Sequence, residues 1–209
     1  MSPTAFLKYL QWSGLAAMLG GVLFSGKVLW NMIGIRPSHA TDVTDLLFFF
    51  APLLLLIGLA GFCTLCAHRY GTLGKLGCVV SLSGLAVGTI GSLVGVWIEP
   101  LGLAYWLGFR FLCIGLVLLG IATIKAQALP GGWSALPLAL GLVGLGRALF
   151  MFFAVTIGSK GLDAPEAGDE LGTFLSSWAG TLTSVLGVLF GLGWLCLGYA
   201  LWAGKTEAT

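Results

Sequence analysis

The chain has 209 residues, of which 58% are hydrophobic and only 9% charged, where an ordinary soluble domain carries about 25% charged residues. So thin a polar coat excludes a water-soluble globule and makes lipid the solvent for most of the surface. The net charge of +2, with no run of Lys or Arg, excludes DNA and RNA as partners.

A helix needs about 20 apolar residues to cross the hydrocarbon core of a bilayer, and six segments of that kind follow one another along the chain. The first covers 10–34. Lys8 precedes it, but the apolar run is too long for the core of a secretory signal and lacks a small-residue cleavage site, so it is expected to stay as the first span. It carries Lys27 and Asn31 one turn apart, hence on one face. The second covers 46–66, with Pro52 in its early turns, where proline is tolerated. It ends on Cys63 and Cys66, formally a C-x-x-C pair, with no second pair to relay electrons. The five cysteines read as small apolar residues.

The third segment, 76–98, places Gly77, Ser81, Gly84, Gly88, Gly91 and Gly95 on one continuous face that another helix can approach closely. The fourth, 103–125, carries Arg110 one turn beyond Trp106. The fifth, 133–157, has Pro137 in its early turns and Arg147 near its middle. An acidic loop over 158–172 leads to the sixth, 177–203, where Gly180, Ser184, Gly187, Gly191 and Gly198 repeat the small-residue face. Spans three and six are therefore expected at helix contacts. The stretch from Trp12-Ser13-Gly14-Leu15 also overlays Trp133-Ser134-Ala135-Leu136 as a weak internal repeat.

Short connections make neighbouring helices antiparallel. Lys8, Arg69, Lys75, Lys125 and Lys205 then share one side with both termini, and the other side holds only Arg36 and Lys160 among the cations outside the spans. By the positive-inside rule both termini are cytoplasmic. Trp12, Trp133 and Trp202 fall near the inner boundary, and Trp30, Trp97, Trp106 and Trp178 near the outer one, where interfacial belts belong. The expected fold is all-α: one transmembrane domain over 1–209, an integral membrane bundle of six helices with short loops.

Ionisable groups within a membrane are costly and mark functional candidates. Three occur here, all basic: Lys27, Arg110 and Arg147. At a rise of 1.5 Å per residue, Lys27 and Arg110 lie about 10 Å below the outer helix ends and Arg147 about 15 Å, close to the midplane. Lys27 and Arg110 can reach the outer headgroups by snorkelling. Arg147 cannot, and must face the interior, a partner or water. One reading pairs it structurally with Glu99 or an acid of the outer loops. The other gathers Lys27, Asn31, Arg110 and Arg147 into one outward-facing pocket that attracts an anion or a lipid headgroup. No catalytic constellation is present, so an enzyme is not expected. His39 and His68 lie on opposite faces of the membrane, which leaves no metal site and no cofactor to expect.

The segments Trp12-Ser13-Gly14-Leu15-Ala16-Ala17-Met18-Leu19-Gly20-Gly21-Val22-Leu23-Phe24 and Gly120-Ile121-Ala122-Thr123-Ile124-Lys125-Ala126-Gln127-Ala128-Leu129-Pro130 resemble stretches of small uncharacterised multi-span bacterial membrane proteins. That resemblance implies a bacterial plasma membrane and carries no activity with it. Two functions are expected from the residues: a binding or transport protein with a cationic pocket, or a non-catalytic accessory subunit of a larger membrane complex. The partners are the bilayer and, for the second reading, another subunit or a second copy meeting a Gly-rich helix face.

Overall fold

A computed structural model describes residues 3–33, 41–66, 70–94, 102–127, 129, 131–162 and 170–203, with the undescribed side chains among them lying chiefly at helix ends. Six long helices make up nearly all of it: α1 (Pro3–Ile33), α2 (Thr41–Cys66), α3 (Thr72–Val94), α4 (Gly102–Ala126), α5 (Leu136–Leu162) and α6 (Glu170–Ala203). No strand occurs among the described residues. A 3-10 turn over Gly131–Ala135 leads into α5. Pro137 is thus the second residue of that helix, where its missing N–H leaves no bond unmade.

Five of the helices, all but α2, are long and apolar enough to cross a bilayer, and the described apolar part of α2 is Phe50–Leu65. Several helices outrun their apolar segments. Hydropathy marks where hydrocarbon ends, whereas a helix continues into polar residues as long as its backbone bonds are made. Residues 158–162 and 170–172, expected in the acidic loop, are accordingly helical. For the same reason α2 begins at Thr41, within the polar stretch Thr41-Asp42-Val43-Thr44-Asp45 that suits a helix start. Pro52 therefore lies in the interior of α2 and not in its early turns.

Apolar side chains cover both the inside and the outside of the bundle. Phe62, Phe190, Trp194 and Leu116 are wholly buried, while Val79, Ile90, Phe152 and Leu149 on the exterior are each more than half exposed. An exterior of this kind is a surface for lipid, since in water it would drive association. Of the eight tryptophans, Trp12, Trp30, Trp133, Trp178 and Trp202 are exposed, whereas Trp194 fills the core. Four buried hydroxyls are satisfied within their own helices: Ser13 donates to the Leu10 carbonyl, Ser81 to Gly77, Thr89 to Leu85 and Thr123 to Leu119, at 2.7 to 2.8 Å. Such back-bonding is the economical solution where no water is at hand.

Consecutive helices pack side by side in chain order, and α6 returns to α1, so the six close into a ring. Glycine sets the approach. On α3, a Cβ at Gly77 would stand 2.6 Å from the Leu119 backbone nitrogen and one at Gly84 2.7 Å from the Gly108 carbonyl oxygen; one at Gly91 would strike the Tyr105 backbone. The register falls on α3 as it rises on α4, which makes the pair antiparallel. The small-residue face of α6 meets α1 in the same way, with Gly198 against Gly14 and Gly191 against Gly21 and Ser25. Ser25 also donates to the Val188 carbonyl across that contact, at 3.3 Å. Spans three and six thus stand at helix contacts, as their spacing predicts. Gly180 does not take part, having nothing within 4 Å of a Cβ added to it, and Gly95 lies outside the described residues.

At the end of the ring opposite the α3–α4 connection, the Tyr70 hydroxyl and Thr123 Oγ1 are 2.6 Å apart and buried. This bond anchors the start of α3 to α4.

Two substitutions separate contact glycines from open ones. Gly84→Ala forces the α3 and α4 backbones apart and should lower stability by about 1–3 kcal/mol, the usual range for overpacking. Gly180→Ala meets open space and should be neutral or stabilising, by up to about 1 kcal/mol from helix propensity. Thermal unfolding in detergent reads both, and equal effects would mean that the α3–α4 contact is not so close.

Candidate functional site

Arg147 points into the ring. Its Cζ lies 5.2 Å from the centroid of the Phe24 ring on α1 and 5.4 Å from that of Phe109 on α4. Tyr105, one turn before Phe109, accepts a hydrogen bond from the guanidinium through its hydroxyl. The stem passes Gly187 on α6, where a Cβ would stand 3.1 Å from Arg147 Nε and from a Val28 methyl. A Cβ there would press on the arginine, so the glycine eases its passage. Nε itself is buried without a hydrogen-bond partner among the described residues, a state it shares only with Trp194 Nε1.

The aromatic rings below the guanidinium form a connected cluster. Phe190 on α6 packs against Phe24 at 5.5 Å, Phe109 at 5.3 Å and Trp194 at 6.2 Å between centroids. Ring faces carry negative potential, so two of them flanking a cation partly replace a carboxylate. Each such contact is worth about 0.5–2 kcal/mol depending on desolvation. Together they are comparable with the roughly 2.5–3.5 kcal/mol that an arginine at a helix centre costs on insertion scales. Aromatic rings and one hydroxyl therefore offset the charge of Arg147, and they leave one of its donors unused.

A cavity of about 30 Å³ adjoins this cluster, lined by Phe24, Pro52, Leu55, Gly84, Leu85, Gly88, Tyr105, Phe109, Leu112 and Phe190. Its walls come from five of the six helices and are almost wholly apolar. Left empty, a void of this size costs about 0.7 kcal/mol at the usual 24 cal/mol per Å³. It shares three residues, Phe24, Tyr105 and Phe109, with the surroundings of Arg147.

The other three predicted site residues are placed differently. Lys27 is half-buried on α1, one turn beyond Phe24. Asn31 is exposed, as are its neighbours from Leu29 to Ile33. Arg110 is exposed on the outer stripe of α4 with Leu107, Phe111 and Ile114, which suits a snorkelling side chain. None of the three lines the cavity. Glu99, the expected ion-pair partner, lies outside the described residues. Phe24, Tyr105, Phe109 and Phe190 were not singled out from sequence, because aromatic residues in apolar helices are ordinarily core or interface.

Elsewhere, the Cys63 thiol on α2 contacts Cys78 on α3, so its described neighbour is across a helix boundary. The described residues contain no group of three or more His, Cys, Asp or Glu that could hold a metal ion.

If the rings hold the cation, their energies must be coupled. A double-mutant cycle of Phe24→Leu and Arg147→Met, read by thermal unfolding, should give a coupling of about 0.5–2 kcal/mol. Additive effects would show that Phe24 contributes packing alone.

The chain matches no known protein-family model, no curated protein and no solved structure.

Proposed function

We propose that this is a non-enzymatic multi-pass membrane protein that binds an oxyanion, phosphate or carboxylate, at Arg147. The observation that carries the reading is the inward guanidinium, shielded by Phe24 and Phe109, with Nε buried and without a partner among the described residues. A fixed positive charge in an apolar surrounding attracts an anion far more strongly than one in water. The Tyr105 hydroxyl adds a second polar group within reach of the same ligand. Lys27 and Asn31, on successive turns of α1 beyond Phe24, would draw the anion in from the end of the ring at which α4 begins. Arg110, on the outer stripe, serves as a headgroup anchor in this reading.

The accessory-subunit alternative calls for a Gly-lined helix face open to a partner. Contacts within the chain occupy most of the described small-residue faces of α3 and α6, so the anion reading is preferred. In this reading the positive-inside asymmetry supports cytoplasmic termini, and the resemblance to small bacterial membrane proteins supports a bacterial plasma membrane, with the Arg147 layer toward its outer side.

Isothermal titration of the purified protein with inorganic phosphate tests the site. Arg147→Gln should abolish binding while Arg110→Gln leaves it unchanged, and equal losses would reject Arg147 as the locus. Orientation is tested by labelling Ala40→Cys, Pro165→Cys, His68→Cys and Pro130→Cys, each in a chain without native cysteines. The first two should react with an impermeant maleimide from outside intact cells and the last two only after permeabilisation.

A further inference from the structure

Gly88 differs from the glycines around it. A Cβ added at Gly77, Gly84, Gly91, Gly108 or Gly115 would collide with the backbone of the facing helix, whereas one at Gly88 would meet its nearest atoms at 3.7 Å, an ordinary contact. Helix packing therefore does not require a glycine there. Gly88 lines the cavity together with Phe24, Pro52 and Leu55. A Cβ there would stand against the α4 wall of that space and narrow it. The interior proline of α2 borders the same space.

The cavity and the cation are adjacent but chemically opposite. Tyr105 belongs to both, its ring lining the cavity and its hydroxyl meeting Arg147. Phe24 and Phe109 likewise line the cavity and flank the guanidinium. A bare inorganic anion would use the charge and leave the apolar space empty. A ligand with an oxyanion head and an alkyl chain would use both, the head on Arg147 and the first carbons of the chain beside Gly88. The cavity also has walls on both α2 and α3, which among the described residues are the most lightly packed neighbours in the ring.

Resting on the reading of Arg147 as an oxyanion site, we propose that the natural ligand is a chain-bearing amphiphile of the alkyl phosphate or carboxylate class, with its chain seated in the cavity that Gly88 keeps open. The test compares inorganic phosphate, ethyl phosphate and butyl phosphate by isothermal titration against the full-length protein in nanodiscs. Each methylene that enters an apolar site strengthens binding by about fourfold, so butyl phosphate should bind at least about tenfold more tightly than inorganic phosphate. Gly88→Ala should keep the affinity for inorganic phosphate and abolish the preference for the butyl ester, and its unfolding temperature should equal or exceed that of the natural chain. Leu85→Phe, which fills the cavity from another wall, should do the same. Equal affinities for the three ligands, or a chain preference that survives both variants, would overturn the amphiphile proposal while leaving Arg147 as an oxyanion site. Failure of all three ligands to bind would remove the oxyanion reading and this proposal with it.

Discussion

Backbone-to-backbone contact at glycine is the constraint on which the architecture rests. Lipid tails are as apolar as leucine, so burying a leucine between helices in a bilayer gains little over leaving it in lipid. Close packing must supply the attraction instead. Each of the contacts at Gly14 and Gly198, Gly21 and Gly191, and Gly84 and Gly108 brings two main chains to a separation that a single Cβ would prevent. These contacts set the register of α1 against α6 and of α3 against α4, and those two tight pairs hold the ring in place.

Register then determines what meets in the middle. With α3 and α4 locked by Gly84 and Gly108, and α1 and α6 by Gly21 and Gly191, Phe24, Phe109, Gly88 and Gly187 fall in one layer. Arg147 enters that layer from α5, past the gap at Gly187. A shift of one turn between α1 and α6 would carry Phe24 away from the guanidinium and remove one of the two ring faces that offset its charge. The cation is thus tolerated because the glycine contacts deliver aromatic faces to it.

Among the described residues, buried hydroxyls and two buried nitrogens differ in how they are satisfied. Ser13, Ser81, Thr89 and Thr123 are buried and harmless, because each bonds to a carbonyl of its own helix. Arg147 Nε and Trp194 Nε1 are too far from their own backbones to do this. Both sit against Phe190 or its partners Phe24 and Phe109, in the region where the ring also keeps a void. Arg147 Nε thus lies beside the small apolar cavity without lining it, and the two share Phe24, Tyr105 and Phe109 as neighbours.

Residue order alone determines the helices and much of their packing surface. Runs of apolar residues, broken by Pro, Gly and charge, mark all six helices, and in five of them the described run is of bilayer length, because lipid imposes one requirement on every crossing segment and composition reports it directly. The faces of α3 and α6 are legible for a similar reason: small residues spaced by three and four lie together on any helix, whatever it packs against. Arg147 is legible as a buried charge, since its distance from both ends follows from counting. Its surroundings are not. Phe24 and Arg147 are more than a hundred residues apart, and nothing in either segment names the other as its neighbour. The same holds for Gly88, whose spacing matches that of Gly84 and Gly91 although a Cβ there would make only ordinary contact with α4, and for Arg110, which the layer holding Phe109 turns outward. Helix periodicity defines faces but not which face meets which, and only the closure of the ring decides that.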